Sequence, residues 1–129
     1  MANPNIVSVA TILGGNAGWN LSTGLTTTLV TVTAEYVVKI NRIVCTNVHA
    51  TDAANLDLFV SGMGSGTTGV TTTGADSDVY LAKVISVPAN ASLVVSDTPI
   101  YLMEGDILKG GSSAASSLDL FITYETLID

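Results

Sequence analysis

Apolar residues recur at every second position along nearly the whole chain, and no window sustains a 3.6-residue period flanked by helix caps. The alternation predicts strands. NIVSVATIL (Asn5–Leu13) reads as a first strand or extended arm, followed by a glycine-rich loop, GGNAGWNLSTG. LTTTLVTVT (Leu25–Thr33) is β-branched enough to be a strand. EYVVKINRIVCTNV (Glu35–Val48) places Tyr36, Val38, Ile40, Val44 and Val48 on one side, with Asn41-Arg42 marking a bulge or bend. ANLDLFVSG turns Leu56, Leu58 and Val60 one way and Asp57 and Ser61 the other. VYLAKVISV, SLVVS, PIYLM, DILKG and SLDLFITYE complete the set, with turns at TDAAN, VPANA and EGD.

About eight to nine short strands joined by polar turns predict an all-β, antiparallel sandwich. No helix is expected to cover a single open sheet, so two sheets must cover each other. An internal echo fits this plan. VHATDAANLDLFV (Val48–Val60) aligns without gaps on GGSSAASSLDLFI (Gly110–Ile122), which predicts two similar hairpins, one in each half of the sandwich. The long irregular segment is SGMGSGTTGVTTTGADSD, residues 61–78, beyond the length of an ordinary turn. The 129 residues are expected to form one domain, with 1–13 as an N-terminal arm or edge strand.

Composition adds that the surface is short of charge. Only 12% of residues are charged while 47% are hydrophobic, well under the roughly 25% charged content of ordinary globular proteins. Such a surface fits permanent assembly. Eleven acidic against four basic residues give a formal charge of −7. Four scattered cations cannot neutralise a phosphate backbone, so nucleic acid is not expected as a partner. An anionic membrane surface is disfavoured for the same reason. No stretch approaches the ~18 apolar residues of a membrane span. MANPNIVSVA lacks the basic and long apolar regions of a signal peptide, so the chain is expected to be made in a cytoplasm as a soluble protein.

Reactive constellations are few. Gly64-Ser65-Gly66-Thr67-Thr68-Gly69 fits G-x-G-x-x-G, yet VTTTGADSD cannot supply the helix that a dinucleotide needs next. The single Cys45 excludes an intrachain disulfide and reads as a small core residue. His49, also single, shares a strand face with Cys45 at ~13 Å and reads as a turn-edge histidine rather than a triad member. Asp76 and Asp78 lack the ligand-dense pattern of a calcium loop. Glu104 and Asp106 flank Gly105, which reads as a corner that splays both carboxylates into water. No cofactor or metal is expected. With one Trp, four Tyr and two Phe, stacking platforms are scarce. Trp19 is a candidate contact, or else a plug at the end of the core.

With these residues in hand, the chain resembles a family of small structural proteins of tailed bacteriophages. The carriers are MANPNIVSV, KINRIVCTNVHATDAANLDLFV, YLAKVISVPANASLVVSDTPIYLMEGDILK and the closing LDLFITYE, which span most of the chain; the VPANASLVV…IYLMEGDIL block is the most specific. The resemblance implies a jelly-roll-like β-sandwich that assembles on the virion, often as a homotrimer. Capsid cement (decoration), neck and tail-accessory proteins share this module. The longer Gly/Thr loop at residues 61–78 departs from it. The expectation is a non-enzymatic cement protein on the outer capsid surface, with the major capsid protein or other virion proteins as partners. The acidity suits a position away from packaged DNA. Expected contacts are Asn5, Ile6 and Val7 of the arm, Trp19, and Gly64, Thr67 and Thr68 of the long loop. The alternatives are a neck or tail-accessory subunit and a host-glycan-binding module.

Overall fold

The computed structural model describes residues 11–62 and 78–128. Within them lie nine strands: β1 (Thr11–Asn20), β2 (Thr28–Thr31), β3 (Tyr36–Asn47), β4 (Ala54–Ser61), β5 (Asp78–Val87), β6 (Ser92–Ser96), β7 (Ile100–Leu102), β8 (Ile107–Ser112) and β9 (Leu118–Ile128). No helix occurs among the described residues. Two antiparallel sheets form. One runs β1-β9-β3-β6, with β7 beside β6 on the same edge of β3; the other runs β2-β8-β4-β5. The all-β sandwich expected from the alternation is therefore present.

The core is one apolar layer between the sheets. Ile43 and Cys45 of β3 and Leu118, Leu120 and Ile122 of β9 meet Leu56 and Leu58 of β4 and Leu108 of β8, all at 1% exposure or less. Each fully buried aliphatic side chain of this kind contributes about 1.5–3 kcal/mol. The bulge expected at Asn41-Arg42 is real, since the register of β3 on β9 shifts between Ile40 and Arg42. The bulge also changes which residues face the core. One extra residue inverts the alternation, so Tyr36, Val38 and Ile40 point inward before it and Ile43, Cys45 and Asn47 after it. Val44 is consequently on the outer face, and Val48 is half exposed beyond the strand end.

Two further expectations are corrected. Gly14, Gly15 and Gly18 do not form a loop: they lie in β1, paired with Glu125, Tyr124 and Phe121 of β9. At Gly15 a Cβ would stand 2.8 Å from the Tyr124 ring, so a larger residue would need that ring to shift. The small residues make room for a neighbouring aromatic, which is why they misread as turn formers. The LDLF echo marks no pair of hairpins. Each copy begins at a crossing between sheets, β3 to β4 and β8 to β9, and the two crossings lie side by side. The Val48 N–H donates to the Ser117 carbonyl at 2.8 Å, and the Ser113 N–H donates to Asn55 at 2.9 Å. The echoed strands do belong to different sheets.

Candidate functional site

The Glu104-Gly105-Asp106 corner joins β7 to β8, and Gly105 has the positive φ (84°) that only glycine adopts freely. The carboxylates are not splayed into water. Glu104 is 5% exposed and Asp106 6%. The reason is the neighbouring corner between β2 and β3. Val32 donates to the Asp106 carbonyl and accepts from the Gly105 N–H, both at 3.0 Å. The Glu35 N–H, on a residue at φ 71°, donates to Glu104 Oε2 at 2.9 Å. Asp106 Oδ2 accepts the Met103 N–H at 2.9 Å, closing its own turn. The acids are thus consumed as backbone acceptors, locking two corners together. Asp106 Oδ1 is buried without a hydrogen-bond partner. Burial pushes the Asp106 carboxyl above the usual carboxylate range, a rise opposed by the Met103 N–H.

Trp19 sits near the end of β1, opposite Leu120, half-buried against the core. It lines a cleft of about 490 Å³ between the sheets, walled also by Tyr36 and Tyr124 and by Leu29 and Val30 of β2. Among the described residues lining it there is no carboxylate, amine or imidazole; its polar groups include the hydroxyls of Thr31, Thr33, Tyr36, Tyr124 and Thr126. It offers shape, apolar contact and a few hydroxyl groups to a bound molecule. Trp19 therefore sits at the border of core and cleft, closer to the plug than to an exposed contact. The other expected contacts, Asn5, Ile6, Val7, Gly64, Thr67 and Thr68, lie outside the described residues, as does Asp76.

The remaining candidate nucleophile and base are not brought together. Cys45 faces the core, where burial and then the charge of Asp119 push its thiol up to about 11. At that value almost no thiolate forms at neutral pH. His49 caps its own turn: its Nδ1 accepts the N–H groups of Asp52 (3.0 Å) and Thr51 (3.2 Å), and its Nε2 lies 3.9 Å from Asp52 Oδ2. Among the described residues, no three His, Cys, Asp or Glu side chains gather as metal ligands would.

What the fold does present is apolar surface. On β5 only Ala82 and Val87 are buried, while Val79, Tyr80, Leu81, Val84 and Ile85 are 38–59% exposed. On the outer face of the first sheet, Phe121 (47%) and Val94 (44%) flank Val44 in one cross-strand row. Neither strip was singled out in the sequence. The alternation of VYLAKVISV is that of a half-buried strand, and nothing in it shows that both faces stay open. No protein-family model, no curated protein and no solved structure matches this chain.

Proposed function

We propose that this chain is a non-enzymatic structural subunit of a tailed-bacteriophage virion, of the capsid cement type. The observation that carries this reading is the exposure of β5. An edge strand keeps five large apolar side chains in water, while the described clusters of polar side chains are committed to backbone turns. A surface of that kind favours broad, lasting contact with other protein. The finer fold assignment is a jelly roll. Its support is the strand order, β1-β9-β3-β6 facing β2-β8-β4-β5, in which six of the eight connections between described strands cross between the sheets. The resemblance noted in the sequence supplies the virion context and the trimer.

The mechanism is mechanical. Seated on the outer surface of the shell, each copy adds buried area at a junction between capsomers, and the other subunits of its oligomer raise a modest single-site affinity. The test is reconstitution. Purified protein is added to expanded shells that lack it, and bound copies per shell and the shell's melting temperature are measured. Saturable binding at many equivalent sites with a raised melting temperature supports a cement protein. Binding at one vertex alone indicates a neck or tail subunit, and no binding to shells or virions removes the reading.

A further inference from the structure

The molecule carries two apolar strips of different shape, on different sides, with charges at matching places. The first is β5, an edge of the β2-β8-β4-β5 sheet among the described residues. Its five exposed apolar side chains, divided between its two faces, together present on the order of 400 Å² per copy, against about 800 Å² that one partner contributes to a standard stable interface. The second is the outer face of β3 and β9, where Val44 is paired with Phe121.

β5 is not shaped for continued strand pairing. Its register on β4 shifts twice, between Leu56 and Leu58 and between Leu58 and Phe59, leaving extra residues around Lys83–Val84 and Leu81. Bulges of this kind twist an edge away from a further hydrogen-bonded strand. Val84 is at φ 51°, a conformation that costs a β-branched residue energy, and is 59% exposed. The buried Asp57 carboxylate holds it there by accepting its N–H at 2.8 Å. Strain maintained by a dedicated buried acceptor, at a residue turned to solvent, marks a surface kept for contact.

The charges indicate which contact. β5 carries only Asp78 and Lys83, bracketing Val79–Ala82. On the outer face of the first sheet, Arg42 lies one step to one side of the Val44–Phe121 pair, and Asp119 one step to the other, opposite Thr46. Four residue steps separate Arg42 from Thr46, ~13 Å; the five steps from Asp78 to Lys83, shortened by the bulge, span nearly the same length. Laid along β3, β5 of a neighbour places Asp78 against Arg42 and Lys83 against Asp119, with its apolar centre over Val44 and Phe121. Opposite signs at both ends set one direction and one register.

We infer that this chain self-associates head to tail, the bulged β5 of each copy lying across the outer face of β3 and β9 of the next, with Asp78–Arg42 and Lys83–Asp119 pairs fixing the register. Because the two surfaces differ, the contact is heterologous and closes into a ring when its rotation allows. The inference rests on the proposed structural role and deepens it by naming the subunit contact.

The test is analytical ultracentrifugation of the full chain across the low-micromolar range. The wild type sediments as one closed oligomer. Val84→Asp and Phe121→Asp, both at exposed positions, sediment as monomers with unchanged far-ultraviolet circular dichroism. Lys83→Glu and Asp119→Lys each weaken association about tenfold or more. The double variant recovers most of that loss, although it lacks the same internal contacts as the two singles. A monomeric wild type, association that persists in both aspartate variants, or a double variant no better than its parents overturns the contact. Shell binding is scored separately. A monomer that coats shells overturns the self-association and leaves the structural role standing; a closed ring that ignores shells does the reverse.

Discussion

The Asp57 carboxylate, 8% exposed in β4, accepts the backbone N–H of Val84 in β5 at 2.8 Å. Val84 is at φ 51°, where its Cβ crowds the backbone. The two residues form one device, in which the buried acid compensates a conformation that valine avoids. Asp57→Ala should cost about 1–3 kcal/mol, because a bulge N–H loses its acceptor. Val84→Asn should stabilise by about 1 kcal/mol, because asparagine tolerates this region. Urea unfolding of the dilute protein measures both. A destabilised Val84→Asn variant would show that the strain is not relieved by side-chain choice.

How much of this was legible in the sequence depends on what each feature needs. Strand existence and the sandwich need only local alternation, and both were readable. The facing of Val44 needed the exact site of the β3 bulge, which Asn41-Arg42 hinted at without giving its phase. The burial of Glu104 and Asp106 needed knowledge that the β2–β3 corner lies beside them, since Gly105 alone cannot say what covers it. Arg42 is separated from Asp119 and Phe121 by some eighty residues in the chain. Only the pairing of β3 with β9 sets them in one column, and alternation carries no information about partners.

Asp106 makes stability depend on pH in an unusual direction. Its folded-state pKa is raised by burial, so the folded state binds the proton more tightly than the unfolded chain does. Its favourable contribution is complete below the unfolded value of about 3.9 and is lost as pH rises through the raised folded value. Asp106→Asn keeps an oxygen for the Met103 N–H and removes the charge. The variant should be more stable than wild type at neutral pH, by about 1 kcal/mol. The difference should shrink as pH falls through the range just above the ordinary carboxylate value. Comparing urea midpoints of the two proteins cancels the carboxylates they share. A gap that widens in acid would contradict the assignment.

Gly110 and Gly14 should respond oppositely to one methyl group. A Cβ on Gly110, in β8, would collide with the Asp57 carbonyl oxygen, a backbone atom of the paired β4. Neither strand can yield without breaking its ladder, so Gly110→Ala should cost about 3 kcal/mol or more. A Cβ on Gly14 meets nothing within 4 Å. Gly14→Ala should be neutral or stabilise by about 0.5 kcal/mol through the unfolded chain. Thermal melts of the two variants beside the wild type decide this, and equal losses would mean that packing at β8 is looser than the ladder implies.

Asn47 ends β3 with 1% exposure, and its side chain makes three hydrogen bonds. Its Nδ2 donates to the carbonyls of Asp52 and Val87, each at 2.9 Å, and its Oδ1 accepts the His49 N–H at 2.8 Å. One amide thus ties the β3–β4 crossing to the end of β5. Asn47→Asp changes almost no volume but replaces the donor by an oxygen facing two carbonyl oxygens. The loss should be about 2–4 kcal/mol at neutral pH, since two acceptors are orphaned and a charge is buried without a counter-ion. The new carboxyl is stabilised when protonated, because its O–H can donate to one of the carbonyls. Its folded pKa is therefore raised, and part of the lost stability should return as pH falls through that value. Hydrogen exchange at the His49 amide gives an independent reading. That N–H keeps an acceptor in the variant, so its protection should fall only with global stability; a selective loss there would mean that the side chain has rotated out of the site.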